Sequence, residues 1–147
     1  MAAKEVLVGV DASKRSEAVV AYACDVASKL GATVHLLYVE AVMPVPPEFS
    51  KYAQEEDVDR GGYNEAVGRA VLAKLEGIAK SHGAICDSDL EHGNPAEVIL
   101  KFGSHPGVVL TVVGLRGLHG IGRVQSLGSV ARRVIERSAV PVVVVPT

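Results

Sequence analysis

Val108-Val109-Leu110-Thr111-Val112-Val113 leads directly into Gly114-Leu115-Arg116-Gly117-Leu118-His119-Gly120-Ile121-Gly122-Arg123, and Gly128-Ser129 then opens a helix that runs to Ser138. An apolar run of this length, rich in β-branched residues and stopped by glycine, reads as a strand buried on both faces. The same grammar repeats outward from it. Pro141 and Pro146 bracket a last strand, Val142–Val145. Upstream, Glu5–Val10 is a first strand ending at Asp11-Ala12-Ser13, and Ser13 is placed to cap a helix from Lys14 to Leu30, closed by Gly31. Ala32–Glu40 reads as the second strand and Ala84–Leu90 as the third. Between them a helix from about Tyr63 to Ser81 sets Val67, Val71, Leu75 and Ile78 on one face. Asn94 caps a short helix that starts at Pro95 and ends at Phe102. Ala41–Gly62, with Pro44, Pro46 and Pro47 followed by Glu55, Glu56, Asp57 and Asp59, reads as a long irregular loop, either a surface lid or a catalytic loop. Strands apolar on both faces and alternating with helices predict an α/β fold. The sheet is a doubly wound, Rossmann-like, five-stranded parallel one with helices on both faces and strand order 3-2-1-4-5.

The chain has 147 residues, 48% hydrophobic and 22% charged, with a formal net charge of −2. That length predicts one domain, able to bury roughly 68–70% of its unfolded surface without a disulfide or metal. The apolar content excludes disorder. The longest apolar runs, such as Ala139–Pro146, fall far short of the ~18–20 residues of a membrane span. MAAKEVLVGVD, with Lys4, Glu5 and Asp11 around a short apolar run, does not read as a signal peptide. The two cysteines, Cys24 and Cys86, lack metal-ligand or redox spacing and are expected to be buried thiols in a cytoplasmic protein. With no Trp, two Phe and four Tyr, an aromatic platform for nucleic acid is not expected. His35, His82, His92 and His105 are scattered without metal-ligand spacing and read as structural. No residue is assigned a catalytic or metal-ligating role. The charge is polarised: residues 1–101 carry 10 basic and 16 acidic side chains (−6), whereas residues 102–147 carry five arginines against Glu136 alone (+4). The positive end surrounds the glycine loop and favours an anionic ligand.

In such a sheet the ligand crevice lies beyond the carboxyl ends of the strands where strand order reverses, here between strands 1 and 4. Those are the ends at Asp11-Ala12-Ser13 and at the glycine loop. Glycines allow backbone to approach a ligand closely, and the N–H groups of Gly128, Ser129 and Val130 at a helix start attract anions. A phosphate site follows. It is neither a dinucleotide fingerprint, since Gln125 follows Gly120-Ile121-Gly122 where Gly or Ala is wanted, nor a P-loop, since the Walker lysine is missing. Asp11 has two compatible readings, ligand contact and cap of the first helix. Arg123 reaches a phosphate or solvates the loop, and His119 reads as exposed.

These residues resemble the universal stress proteins, whose nucleotide-binding members carry G-x2-G-x9-G-[ST] after strand 4. Gly114-x2-Gly117 and Gly128-Ser129 are similar to that motif, and SVARRVIERSAVPVVVVP to the family's C-terminus. Val8-Gly9-Val10-Asp11-Ala12-Ser13 is similar to its opening strand, and His92-Gly93-Asn94-Pro95-Ala96-Glu97-Val98-Ile99 to the entry of its third helix. Leu118–Leu127 puts ten residues between Gly117 and Gly128 where the family pattern has nine, and Val109 stands where an acidic residue is usual. The resemblance implies that Asp11 sits by the nucleotide and that Val39 offers backbone hydrogen bonds to adenine. Gly114, Arg116 and Gly117 would then run along ribose and phosphates, with Gly128, Ser129 and Val130 on the phosphate tail. Val10, Val39 and Val113 can supply apolar walls.

The function so implied is an adenine-nucleotide-binding regulatory protein of stress response. It would hold ATP (or ADP or AMP) with Mg²⁺ or Mn²⁺ on the phosphates. Two alternatives stay open: a slow ATP hydrolase or nucleotide transferase, and a nucleotide-free dimeric interaction module, which the longer spacer favours. Asp11, His119, Arg116 and Arg123 are the candidates for hydrolysis, and no pair among them has a convincing logic. Neither the H-x-G-H signature of nucleotidylyltransferases nor the Ser-Gly-Gly loop of ATP pyrophosphatases occurs. The valine strand Val142, Val143, Val144, Val145 at a sheet edge would be an aggregation hazard unless covered. Pairing with its copy across a two-fold axis predicts a homodimer, as the resemblance also implies.

Overall fold

The computed structural model describes residues 3–41, 50–116 and 127–146. Its elements are β1 (Glu5–Val10), α1 (Arg15–Leu30), β2 (Thr33–Ala41), α2 (Ser50–Ser81), β3 (Cys86–Gly93), α3 (Pro95–Gly103), β4 (Val108–Gly114), α4 (Ser129–Arg137) and β5 (Val142–Val145). The strands form one parallel sheet in the order β3-β2-β1-β4-β5, as the pattern of the sequence requires.

Alternation along β1 divides the core into two layers. Val6, Val8 and Val10 point to one face with Val34 and Leu36 of β2, where Val19, Val20 and Ala23 of α1 and Leu72 and Leu75 of α2 cover them. Leu7 points to the other face with Leu37 and Val113, under Ala96 and Ile99 of α3 and Ala131 and Val134 of α4. The central strands are therefore apolar on both sides, which is why their valine runs show no polar alternation, whereas edge strand β3 alternates with Asp87 and Asp89 facing out. His35 ties three neighbouring strands together: its Nδ1 lies 3.4 Å from Glu5 of β1 and its Nε2 2.9 Å from Asp89 of β3.

Gly31 ends α1 in the left-handed region, with φ 65°, and its N–H closes onto the carbonyls of Ala27 and Ser28. The α3 cap also forms as expected, Asn94 Oδ1 accepting from the Glu97 N–H at 3.1 Å. Three local expectations are corrected. The helix expected from Tyr63 begins at Ser50, so Ser50–Gly62 is helical and not loop. The adjacent Gly61-Gly62, each costing about 1 kcal/mol in a helix interior, lie within the helix and do not end it. The third strand is Cys86–Gly93, not Ala84–Leu90, because it pairs along β2 as far as Ala41. Ser13 does not cap α1 with its side chain. The N-cap position is Lys14, without a side-chain cap bond, and both the N–H and the hydroxyl of Ser13 donate to Asp11 Oδ1 instead.

Candidate functional site

The carboxyl ends of β1, β2 and β4, the α3 helix and the start of α4 enclose a crevice of about 350 Å³. Sequence reasoning had picked out Val10, Asp11 and Ala12 after β1, Val39 on β2, and Val113, Gly114 and Arg116 on and after β4. All of these line it, as do Gly128, Ser129 and Val130 of α4. Ser13 does not. It borders an adjoining cavity with Lys14, Glu17 and Lys74. Gly117, His119 and Arg123 lie outside the described residues.

Parallel strands bring these groups together because their carboxyl ends are in step. Val10 stands opposite Tyr38 across β1 and β2, and Gly114 opposite Val145 across β4 and β5. The apolar wall is completed by residues that strand-end reasoning had not reached: Leu37 on β2, and Pro95 and Ile99 on α3. Ile99 comes in over Gly9, where an added Cβ would lie 2.8 Å from its Cδ1. A backbone without a side chain therefore lets α3 close on the sheet at this point. No local signature marks this contact in the sequence, since it depends on how α3 packs over the sheet.

The polar groups are held firmly. Asp11 Oδ1 accepts from the Ser13 N–H at 2.9 Å and from the Ser13 hydroxyl at 2.6 Å, and it lies 3.1 Å from the Ser16 Oγ. The Asp11 N–H in turn donates to Ser16 Oγ at 2.9 Å. This is an Asx turn at the entrance to α1. It is not the cap of α1 that Asp11 was expected to supply, because no side-chain hydrogen bond caps that helix. Asp11 also lines the crevice. On the opposite side, the Gly128 N–H donates to the Leu115 carbonyl at 2.8 Å. This bond latches the start of α4 to the end of β4. The N–H groups of Ser129, Val130 and Ala131 remain without intrahelical acceptors, as in any first turn. Among the described residues, Arg116 Nε is a buried donor without a partner. Burial, then the nearby carboxylates of Glu40 and Asp11, push the Tyr38 phenol above its usual range.

The site can thus accept a ligand with a flat apolar part and an anionic end. Oriented N–H groups and a guanidinium stand near β4, and a carboxylate corner stands near β1 and β2. Among the described residues no group of three or more His, Cys, Asp or Glu side chains is placed to hold a metal ion, and no helix is long and apolar enough to cross a membrane.

Comparison with known proteins agrees with this architecture. The model of the universal stress protein family matches residues 2–146. A universal stress protein of Thermus aquaticus is 32% identical over 142 residues, covering 97% of this chain and 98% of its own length. Among solved structures, the universal stress protein from Archaeoglobus fulgidus in complex with dAMP superposes with a TM-score of 0.71 at 22% identity, covering 98% of both chains. A universal stress protein in complex with cAMP superposes at 0.66 with 28% identity, covering 99% of this chain and 98% of that one. The chain belongs to the universal stress protein family.

Proposed function

We propose that this protein binds an adenine nucleotide in the crevice between β1 and β4 and acts as a nucleotide-responsive regulatory protein in the cytoplasmic stress response. The observation that carries the reading is the convergence, at the switch point of the sheet, of an apolar slot with an anion-seeking end. Val10, Leu37, Val39 and Val113 line the slot, and Arg116 and the first turn of α4 form the end. The dAMP and cAMP complexes of relatives with the same fold support it. The base lies in the slot against Val39, the sugar beside Asp11, and the phosphates toward Gly114, Gly117, Ser129 and Val130. ATP, ADP and AMP all suit this arrangement, and Mg²⁺ or Mn²⁺ would be carried by the phosphates, with Asp11 the nearest carboxylate. The protein works as a homodimer joined through Val142, Val143, Val144 and Val145 of the edge strand.

Isothermal titration with AMP and with ATP plus Mg²⁺ tests the reading. Saturable binding of either supports it, and no heat at millimolar nucleotide overturns it. The latter result would favour the nucleotide-free interaction module, which the ten-residue spacer between Gly117 and Gly128 suggests.

A further inference from the structure

The crevice has a floor, and the register of the sheet shows what makes it. Leu37 of β2 stands beside Gly9 of β1. Val113 of β4 flanks Gly9 on the other side, its Cγ1 3.3 Å from where a Cβ would be. The three form one row across the sheet, and all of them line the crevice. Between Leu37 and Val113, both buried, β1 contributes no side chain. The place is filled from α3: Ile99 sets Cδ1 2.8 Å and Cγ1 3.5 Å from the position a Gly9 Cβ would take. Ile99 is 4% exposed and packs with Leu37 and Val113 in one apolar cluster.

A strand and a helix agree on how deep this row lies. Val39, on the same face of β2 as Leu37, is two residues nearer the strand end, a rise of about 6.6 Å. α3 follows β3 directly, so its first turn stands at the carboxyl ends of the strands. Pro95 in that turn and Ile99 share one helix face, with a rise of about 6 Å between them. Val39 and Pro95 therefore line the upper part of the slot, and Leu37 and Ile99 its bottom.

We propose that Ile99 is a specificity-determining residue: it is the stop that limits how far a base enters, so that the site takes a purine without a bulky substituent on its six-membered ring. The proposal rests on the nucleotide reading above. A sugar beside Asp11 lies at the strand ends. The base hangs from that sugar by its five-membered ring and points its six-membered ring inward, toward Leu37 and Ile99. The side chains of the floor are all hydrocarbon, so it discriminates by size. Close-packed carbon accepts added atoms only by displacing its neighbours. Of the three floor side chains, Ile99 comes from a helix, so shortening it deepens the slot without altering a strand.

The test is titration of the full chain with AMP, N⁶-benzyl-AMP and 2-methylthio-AMP, with the ratio of affinities as the readout. The wild type should bind AMP at least about tenfold more tightly than either enlarged analogue. Ile99→Ala should bring at least one analogue within about threefold of AMP, since a single methylene in an apolar pocket already shifts selectivity by about tenfold or more. Ile99→Val, which removes a single carbon, should narrow the gap partway and keeps the test decisive if the alanine variant does not fold. Val20→Ala, a buried deletion in the layer on the other face of the sheet, should keep the wild-type ratio. A wild-type ratio for both analogues in the Ile99 variants overturns the proposal and leaves nucleotide binding standing. So does an equal narrowing in Val20→Ala, or a wild type that binds either analogue as tightly as AMP. If the wild type does not bind AMP, the nucleotide reading itself fails and the proposal falls with it.

Discussion

Replacing Asp11 by alanine separates the two roles assigned to that carboxylate. In the unliganded protein Asp11→Ala removes the acceptor of the Ser13 N–H, the Ser13 hydroxyl and one branch of the Ser16 hydroxyl. Hydrogen bonds to a charged acceptor contribute about 1.5–3 kcal/mol each. The losses do not add in full, however. Ser16 Oγ keeps the Asp11 carbonyl at 3.1 Å, and Ser13 is only half-buried, so water replaces part of the bonding. The net cost should be about 2 kcal/mol, within the range for losing a helix-end acceptor. For a chain of this size that lowers Tm by about 4–8 °C. Asp11→Asn keeps an acceptor oxygen at the same place and should lose about half as much. Differential scanning calorimetry of ligand-free wild type, both variants and Ser13→Ala gives the numbers. A double-mutant cycle between positions 11 and 13 isolates the turn itself. An Asp11→Ala protein that melts within about 1 °C of wild type, or shows no coupling to Ser13, would refute the turn as a structural device. The carboxylate would then be left with the ligand role alone.

Three further predictions concern the interior. Leu36 is fully buried, so Leu36→Ala should cost about 2–5 kcal/mol and lower the urea midpoint accordingly. Thr111 is 1% exposed and its Oγ1 has no hydrogen-bond partner; Thr111→Val should be neutral or stabilising by up to about 1 kcal/mol in the same unfolding assay. Burial foremost, helped by the Glu76 carboxylate, pushes the Cys86 thiol from 9.0 up to about 11. Its alkylation in the native state should be slow at pH 8 and accelerate between pH 9 and 11. The unfolded chain holds its thiol at the lower value, so this group's contribution to stability is complete below pH 9 and is lost as the pH climbs toward 11. Mass-spectrometric alkylation rates across that interval check the first statement, and urea midpoints across it check the second.

What could be read in the sequence and what could not divides along physical lines. The strands were legible because Glu5–Val10, Thr33–Ala41 and Val108–Gly114 are buried on both faces, and valine runs report that directly. Strand order followed from alternation with helices, and with it the position of the crevice. Helix ends marked by backbone chemistry, Gly31 and Asn94, were also legible. The start of α2 was not, because Pro44, Pro46 and Pro47 followed by an acidic stretch read as loop, and a polar segment gives no apolar period to support a helix. Ser13 does not cap α1 because its N–H and hydroxyl are taken up by the Asp11 carboxylate two residues before it, a strong charged acceptor. At the crevice, the ends of strands 1 and 4 could be named from topology, whereas Val39 at the end of strand 2 came from the family resemblance. Pro95 and Ile99 could not, because they reach it by packing a helix over Gly9, a distance relation without a local signature. The engagement of the Gly128 N–H by Leu115 was hidden for the same reason.

The central claim is that the switch-point crevice holds an adenine nucleotide. Amide chemical-shift mapping of the ¹⁵N-labelled protein during titration with AMP tests it most directly. The account predicts saturable shifts concentrated at Val39, Gly114, Ser129 and Val130, with the amides at the opposite end of the sheet, such as Glu5 and Ala84, unmoved. An unchanged spectrum at millimolar AMP, or shifts confined to residues away from the crevice, would contradict it.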